Sequence, residues 1–312
     1  MKKSLRIPAI ALILSLFAVM AFGCSSSITG EVKEPASVSG GGTTSGQTTG
    51  INNSAEETTA PEKKGIAIDE AVLLDEADVK ITAKSLDVNG VFGPSIQLLI
   101  ENNSDKSLTV QARNASVNGY MIETMMSSDV AAGKKANDEL TFMGSDIETA
   151  GITTIADMEF SFHIFDSESW DTYLDTDLIG IKTSAAEGFT YEYDNSGYGV
   201  YDDNGVEIVV KGLSDDSILG PSIVVYISNT SEKNVCVQAC DVSINGFMVE
   251  PIFSSEVVAG KHAIGTITFL STELEENEIT AIEEVGLSFY IFDNDSWDGI
   301  ADTDPITITF EN

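Results

Sequence analysis

The chain repeats itself at a fixed spacing of 127 residues. The segment FHIFDSESWDTYLDTD at 162–177 returns as FYIFDNDSWDGIADTD at 289–304, and ASVNGYM at 115–121 returns as VSINGFM at 242–248. The two copies align without a gap from residue 72 to residue 183 of the first copy. A gapless duplication of this length predicts that one folding unit occurs twice in succession.

We place the first repeat at residues 66–184 and the second at residues 193–312, with the junction around SAAEGFTYEY. Each repeat has the size of an ordinary domain. The unit that each repeat forms must therefore be compatible with both versions of the sequence.

Apolar and polar residues alternate along each repeat, which is the period of a β-strand with one buried face. Ile96, Leu98 and Ile100 show this alternation in the first repeat. The Asn-Gly pairs at 118–119 and 245–246 lie between such runs and predict two-residue hairpin turns. The sequence thus predicts antiparallel strands joined by tight turns.

One helical turn is predicted in each repeat. Ser145 and Glu148 have the spacing of a capping box, and Thr272 and Glu275 repeat it. Seven or eight short strands in about 115 residues otherwise indicate an all-β fold and a β-sandwich in each repeat.

The order of strand, Asn-Gly turn, strand, V-x-A-G-K segment and strand, closing on F-x-I-F-D-x-x-S-W-D, resembles the immunoglobulin-like domains of bacterial secreted proteins and lipoproteins. V-x-A-G-K stands at 130–134 and 257–261. The resemblance implies two tandem immunoglobulin-like antiparallel β-sandwiches over residues 66–312. It implies no catalytic residues, since these domains carry none that could be transferred.

The first 23 residues predict a secretion signal. Lys2, Lys3 and Arg6 precede a short apolar run at 7–20, and AFG stands directly before Cys24. This end resembles the lipobox of bacterial lipoproteins. The resemblance implies cleavage before Cys24, which then carries diacylglyceryl and palmitate groups and anchors the protein to the membrane outside the cytoplasm. An ordinary signal peptide with an incidental cysteine is the alternative.

Residues 24–65 are rich in Ser, Gly, Thr and Pro and poor in large apolar groups. Such a composition cannot bury enough surface to offset its ordering entropy, so the segment predicts a disordered, flexible tether. About 40 residues of this kind reach roughly 35 Å on average. That length suits a domain held away from a membrane surface.

The charge of the chain excludes one class of partner. The formal net charge is −34. Removal of the signal removes three basic residues and no acidic one, which leaves 13 Lys and Arg against 50 Asp and Glu, or −37. A surface of this sign repels phosphate backbones, so we expect no binding to nucleic acid.

Trp170 and Trp297 are the only tryptophans, and they occupy equivalent positions after an aromatic strand. Large aromatic side chains are highly buried on average, which favours a plug over the open end of each sandwich. The alternative is an exposed platform on which a sugar ring or a peptide could stack. The two tryptophans are therefore our candidate ligand-binding residues.

Aspartates surround both tryptophans, and a loop with several carboxylates is typical of calcium sites. The spacing departs from that of an EF-hand, and aspartates also cap turns through their backbone amides. Calcium is thus a possible ligand, and we predict no other cofactor. The candidate ligands are Asp166, Asp171, Asp175, Asp177, Asp293, Asp295, Asp298, Asp302 and Asp304.

Other reactive residues give no pattern of catalysis. Cys236 and Cys240 lie about 13 Å apart along one predicted strand, beyond disulfide reach, so we expect free thiols. His163 and His262 do not occupy equivalent positions in the two repeats. No nucleophile elbow, zinc-binding His pair or phosphate loop occurs, and we expect no enzyme.

The sequence names no specific biochemical function. It predicts an extracytoplasmic lipoprotein that acts as a binding, adhesion or structural module of the cell envelope. The partners would be the membrane, through the lipid, and an envelope protein or polysaccharide. The alternatives are a calcium-stabilised structural stalk and a hydrolase with an unrecognised site.

Overall fold

The computed structural model describes residues 28–30, 65–215 and 218–310. The predicted signal at 1–23 and Cys24 lie outside the described residues, as does most of the predicted tether. Within the tether, β1 (Ile28–Gly30) pairs antiparallel with residues 213 and 214 of the second repeat. These three residues of the predicted tether thus form a strand against the second repeat.

The first repeat consists of eleven strands and one short helix. They are β2 (Ala71–Glu76), β3 (Val79–Asp87), β4 (Ser95–Asn102), β5 (Leu108–Val117), β6 (Tyr120–Met121), β7 (Thr124–Met125), β8 (Ser127–Val130), β9 (Lys134–Phe142), α1 (Gly144–Thr149), β10 (Asp157–Asp166), β11 (Thr172–Asp175) and β12 (Ile179–Lys182).

The second repeat forms the same elements 127 residues later, with ends that agree to within one residue. They are β13 (Tyr198–Asp203), β14 (Val206–Ser214), β15 (Ser222–Asn229), β16 (Val235–Ile244), β17 (Phe247–Met248), β18 (Ser254–Val257), β19 (His262–Thr268), α2 (Ser271–Glu276), β20 (Glu284–Asp293), β21 (Gly299–Asp302) and β22 (Ile306–Thr309). Strand β7 is the exception, because its counterpart is reduced to an isolated bridge between Ile252 and Thr268.

Each repeat divides its strands between two sheets. In the first repeat one sheet has the order β2-β3-β4-β9-β7, and β6, β5, β10 and β11 form the other, with β8 and β12 attached. In the second repeat the orders are β13-β14-β15-β19 and β17-β16-β20-β21, with β18 and β22 attached to the latter. The pairing within each repeat is antiparallel, which confirms the predicted all-β class.

Each repeat has its own hydrophobic core between its sheets. Ile96, Leu98 and Ile100 of β4 are buried, whereas the residues between them are only half-buried, as the alternation predicts. Strand β15 differs from β4, because all eight of its residues are buried. The outer face of β15 is therefore covered by something other than its own sandwich.

The turns follow the predicted chemistry. Asn118 and Gly119 have φ angles of 51° and 80°, and Asn245 and Gly246 have 51° and 87°. Both pairs thus have the two consecutive positive φ values that a type I′ hairpin requires. Residues 204 and 205, in the DDNG segment between β13 and β14, do the same.

Both predicted helical turns are present, but the predicted capping boxes are wrong. Helix α1 begins at Gly144, with Met143 as its N-cap, so Ser145 lies inside the helix and bonds Asp146 instead. Helix α2 likewise begins before Thr272 and has no side-chain cap. Among the described residues no helix is both long enough and apolar enough to cross a membrane.

The two repeats share a sheet through one parallel pairing. Tyr120 of β6 lies opposite His262 of β19, and the backbone amide of His262 donates a hydrogen bond of 2.9 Å to the carbonyl of Gly119. This pairing joins the sheet of β5 and β10 to the sheet of β14 and β15, so that a single eleven-stranded sheet runs through both repeats.

Candidate binding site

Trp170 lies in a tight turn at residues 166–171 between β10 and β11, which we call the first tryptophan turn. The amide of Trp170 donates a hydrogen bond of 2.8 Å to the carbonyl of Asp166. The amide of Asp166 donates in turn to the carbonyl of Asp171 at 3.0 Å. The two bonds close the hairpin and fix the backbone at the tryptophan.

The side chain of Asp166 holds the inside of this turn. Its Oδ1 accepts hydrogen bonds from the amides of Glu168 and Ser169, and its Oδ2 lies 3.0 Å from the ammonium of Lys106. These amides and the lysine stabilise the carboxylate, and they hold its pKa below the usual range. Asp166 therefore acts as a turn residue, which was the alternative to calcium binding.

The second tryptophan turn, at residues 293–298, repeats this geometry. The amide of Trp297 donates to the carbonyl of Asp293 at 2.8 Å, and the amide of Asp293 donates to the carbonyl of Asp298 at 2.9 Å. Lys233 lies 2.9 Å from Asp293 Oδ2, and its hydrogen bond is the main cause that lowers the pKa of Asp293 to about 2. Both repeats thus build the same turn around the same pair of charges.

Both tryptophans adopt a backbone conformation that bulky residues avoid. The φ angles of Trp170 and Trp297 are 65° and 64°. A left-handed conformation costs an L-residue with a side chain about 1–2 kcal/mol, and Gly or Asn is the usual choice there. Folding alone therefore does not favour tryptophan at this position.

The tryptophan side chains are exposed, so the prediction of a buried plug is wrong. Trp170 is 75% exposed and Trp297 is 74% exposed. Each ring lies on the outer face of its sheet and stacks on a buried phenylalanine, Phe165 or Phe292, with centroids 5.5 Å apart and interplanar angles of 17° and 16°. The rule that aromatic residues are buried holds here for the phenylalanine beneath each ring and fails for the indole above it.

The stack continues along the outer face of the strand. In the first repeat His163 contacts Phe165 with centroids 5.4 Å apart, and in the second Tyr290 contacts Phe292 at 5.5 Å. His163 Nδ1 also lies 2.5 Å from a carboxylate oxygen of Asp175. Each repeat therefore presents a row of three rings that ends in an open indole.

Four of the other candidate calcium ligands lie outside the tryptophan turns. Asp175 and Asp302 close strands β11 and β21, and Asp177 and Asp304 are exposed beyond those strands. Across residues 65–215 and 218–310, no group of three or more His, Cys, Asp or Glu side chains is arranged so that it could hold a metal ion.

Four further carboxylates of the two tryptophan turns form no salt bridge with a basic side chain of the described chain. They are Glu168 and Asp171 in the first turn and Asp295 and Asp298 in the second, and all are exposed. Asp295 Oδ2 accepts a hydrogen bond from Asn234, and Asp298 Oδ2 accepts one from Ser296. Each open indole therefore lies in a turn whose three carboxylates exceed its one salt-bridged lysine by two negative charges.

The junction between the repeats is an aromatic cluster around His262. The ring of His262 stacks on Tyr193 with centroids 3.7 Å apart, and a hydrogen bond of 2.7 Å joins its Nδ1 to the hydroxyl of Tyr226. Burial, together with the neighbouring Lys261 ammonium, lowers the pKa of His262, and burial raises that of Tyr226 to about 12. His262 is thus a packing residue of the junction.

An ion pair and a close approach complete the junction. Lys261 of the second repeat pairs with Glu159 of the first. A Cβ at Gly119 would lie only 2.4 Å from the hydroxyl of Tyr193, so this position requires glycine for space as well as for its positive φ. The packing leaves little freedom for the hairpin at Gly119.

The connecting segment contributes rings that sequence reasoning missed. Tyr191 and Tyr193 stack at 6.4 Å, and Phe189 meets Tyr191 edge-on at 5.2 Å. With Asn118 and Gly151 they line a shallow cleft beside the junction. The signal was present in the sequence, because aromatic residues alternate with polar ones along 189–193 as they do along a strand.

Cys236 and Cys240 are free thiols, as predicted. Cys236 is buried, Cys240 is partly covered, and burial raises the pKa of both thiols. A raised pKa disfavours the thiolate at neutral pH, so neither side chain has the character of a reactive nucleophile.

Two of three comparisons with known proteins find no match, and the third finds solved structures of low similarity. No protein-family model matches it, and no curated protein matches it. Similar solved structures include the YadV chaperone, with 12% identity, a TM-score of 0.23 and coverage of 72% of this chain and 100% of that one. A second is the Salmonella enterica SafA pilin in complex with the SafB chaperone, with 9% identity, a TM-score of 0.19 and coverage of 69% and 88%. A third, of unknown function, comes from Porphyromonas gingivalis W83, with 11% identity, a TM-score of 0.19 and coverage of 65% and 84%. At such TM-scores we draw no conclusion about function from these similarities.

Proposed function

We propose that the protein is an extracytoplasmic lipoprotein whose two sandwich repeats, of immunoglobulin-like type, form a binding module of the cell envelope. It acts by surface recognition rather than by making or breaking bonds. The tryptophan turns are the contact points, and the partner is an envelope protein or polysaccharide.

The observation that carries this proposal is the exposure of both tryptophans. A tryptophan that is three-quarters exposed gives up most of the stabilisation that burial of its large apolar surface would provide. It also adopts an unfavourable backbone conformation, and it does so in both repeats. Both the exposure of the indole and its unfavourable backbone conformation reduce stability, and both occur at equivalent positions in the two repeats. This repetition indicates a role for the ring outside folding.

The geometry suits recognition by stacking. Each indole stacks on a buried phenylalanine and is held there by a turn in which the first aspartate makes two backbone hydrogen bonds and accepts two more through its side chain. The ring is therefore pre-positioned, and little side-chain conformational entropy is lost when a ligand binds to it. Tryptophan is also the residue most often found to dominate binding energy at protein interfaces.

The proposal of a membrane anchor rests on the sequence around Cys24. A basic start, a short apolar run and a cysteine after AFG support lipid attachment at that cysteine. One lipid chain gives only weak membrane binding, whereas the several chains of a lipoprotein anchor it stably.

A paired binding experiment tests the recognition site. We expect the double variant Trp170→Ala and Trp297→Ala to lose co-sedimentation with isolated cell-wall material while keeping the melting temperature of the wild type to within a few degrees. The matched control is Val91→Ala with Ile218→Ala, which removes two exposed apolar side chains outside the turns. Equal retention of binding by both double variants would contradict the proposal.

Cell fractionation tests the anchor separately. Cys24→Ala should abolish incorporation of labelled palmitate and release the protein from the membrane fraction. A variant that stays in the membrane fraction would show that attachment does not depend on this cysteine.

A further inference from the structure

The surroundings of the open indoles narrow the class of ligand, and this step rests on the proposed function of the tryptophan turns. The free face of an indole is electron-rich and attracts cations more strongly than the face of any other aromatic side chain. Because one face of each indole stacks on Phe165 or Phe292, a ligand meets the opposite face and the turn beside it.

The charges in each turn favour a cation over a neutral ring. The first aspartate of each turn has its own lysine, Lys106 or Lys233, so its charge is already compensated. The two following carboxylates of each turn, Glu168 with Asp171 in the first, form no salt bridge of their own in the part of the chain that the structure describes. Lys106 and Lys233 also attract Asp171 and Asp298, but from beyond salt-bridge distance. With three carboxylates and one salt-bridged lysine, each turn therefore keeps an excess of two negative charges, which a bound cation would reduce.

A neutral ligand that covered the indole would draw water away from those carboxylates without replacing it by a positive charge. Desolvation of an unpaired charge opposes binding, whereas a cation in the same place compensates the charge that it covers. The formal net charge of −34 also attracts basic molecules over long distances. The indole and the carboxylates thus favour the same kind of ligand.

We propose that each tryptophan turn binds a lysine- or arginine-bearing segment of a basic polypeptide, with the cation between the free indole face and the two flanking carboxylates. In the first turn the carboxylates are those of Glu168 and Asp171, and in the second they are those of Asp295 and Asp298. Since both repeats carry the turn, one chain offers two such sites.

The chain contains its own reporters for a test, because its only two tryptophans are the rings in question. In the full chain carrying Trp297→Phe, intrinsic fluorescence reports only on Trp170. Titration with a hexalysine peptide should change this emission saturably, and raising the salt concentration should weaken the binding.

The role of the two carboxylates of the first turn is tested in the same chain, which carries Trp297→Phe. Glu168→Gln with Asp171→Asn should weaken hexalysine binding at least about fivefold. The control, Glu275→Gln with Glu276→Gln, removes two charges from exposed residues of α2 and should change it less than about twofold. Equal weakening in the two variants would overturn the proposal, because it would reduce the effect to general charge attraction.

A neutral hexamer of N-acetylglucosamine separates this inference from the proposed function. If the sugar binds at Trp170 and hexalysine does not, the turn is a binding site but the cationic class is wrong. If neither probe changes the emission of Trp170 or, in the reciprocal Trp170→Phe chain, that of Trp297, both the inference and the assignment of the turns as contact points fail.

Discussion

The Asn-Gly hairpins of the two repeats have nearly the same sequence and opposite environments. In the first repeat Tyr120 is buried against Tyr193 and the second repeat, and Met121 packs against the core of the second repeat. In the second repeat Phe247 is 49% exposed and Met248 is 64% exposed. The hairpin forms in both places, so its backbone depends on the local sequence, whereas its burial depends on what lies beside it.

The equivalent strands β4 and β15 also differ in burial. Strand β4 alternates between buried and half-buried residues, whereas β15 is buried on both faces. Val224 and Tyr226 stand on the outer face of β15, where β4 has Gln97 and Leu99. The duplicated unit has therefore been altered on one face of the second repeat to receive the first.

The largest expected effect comes from truncating the two hairpin aromatics. Tyr120→Ala should destabilise the chain by about 3 kcal/mol, because it leaves a cavity between the repeats. Phe247→Ala removes an exposed ring and should change stability by about 0.5 kcal/mol or less. Urea unfolding of the two variants measures both values, and equal losses would show that the hairpins are equivalent.

The two hairpin glycines sharpen the comparison. Alanine at Gly119 or Gly246 must adopt a positive φ, at about 1 kcal/mol in either repeat. At Gly119 the added methyl group also meets the hydroxyl of Tyr193, whereas at Gly246 the space within 4 Å is open. We therefore expect Gly119→Ala to cost about 2 kcal/mol and Gly246→Ala about 1 kcal/mol. A larger loss at Gly246 in the same urea experiment would contradict this view of the junction.

The pH dependence of stability should also depend on the junction. The pKa of His262 is lowered in the folded protein, mainly by burial, relative to about 6.5 in the unfolded chain. Above pH 6.5 the ring is neutral in both states and has no effect. As the pH falls below 6.5, the unfolded chain binds the proton first, so the folded state loses stability until the folded pKa is passed.

The variant His262→Gln isolates this contribution from that of the many carboxylates. Between pH 7 and pH 5 its unfolding midpoint should fall less than that of the wild type. If the two curves are parallel over this range, the ring is not held neutral by the junction.

Calcium should have the smallest effect of all. The structure gathers no metal-binding group in the described chain, so neither millimolar calcium nor a chelator should move the melting temperature by more than about 1 °C. A rise of several degrees in the melting temperature with calcium would instead support the hypothesis of a calcium-stabilised stalk. Asp293→Asn and Asp166→Asn would then show which repeat binds the ion.

Patterns along one strand or one turn could be read from the sequence. The alternation of Ile96, Leu98 and Ile100 and the Asn-Gly pairs predicted strands and hairpins that the structure contains, because both depend on neighbours within a few residues. The capping box at Ser145 failed, since the helix begins one residue earlier at Gly144.

Contacts between residues far apart in the sequence were harder to predict from the sequence. The exposure of Trp170 follows from its positive φ and its place just beyond the strand, and neither is visible in a rule about average burial. The two-sided burial of β15 did leave a trace, since IVVYI at 223–227 is an unbroken apolar run whereas its equivalent IQLLI at 96–100 is interrupted by Gln97. The sequence did not show which part of the chain covers the outer face of β15.

The parallel pairing of Tyr120 with His262 also has a consequence for how the two repeats act together. Because one sheet crosses the junction and Lys261 pairs with Glu159 across it, we expect the two sandwiches to hold their indoles within a limited range of separations. A ligand that reaches both indoles gains avidity when its own contact points match that separation, and it gains little when they do not. The junction thereby favours ligands whose two contact points have the same spacing as the two indoles.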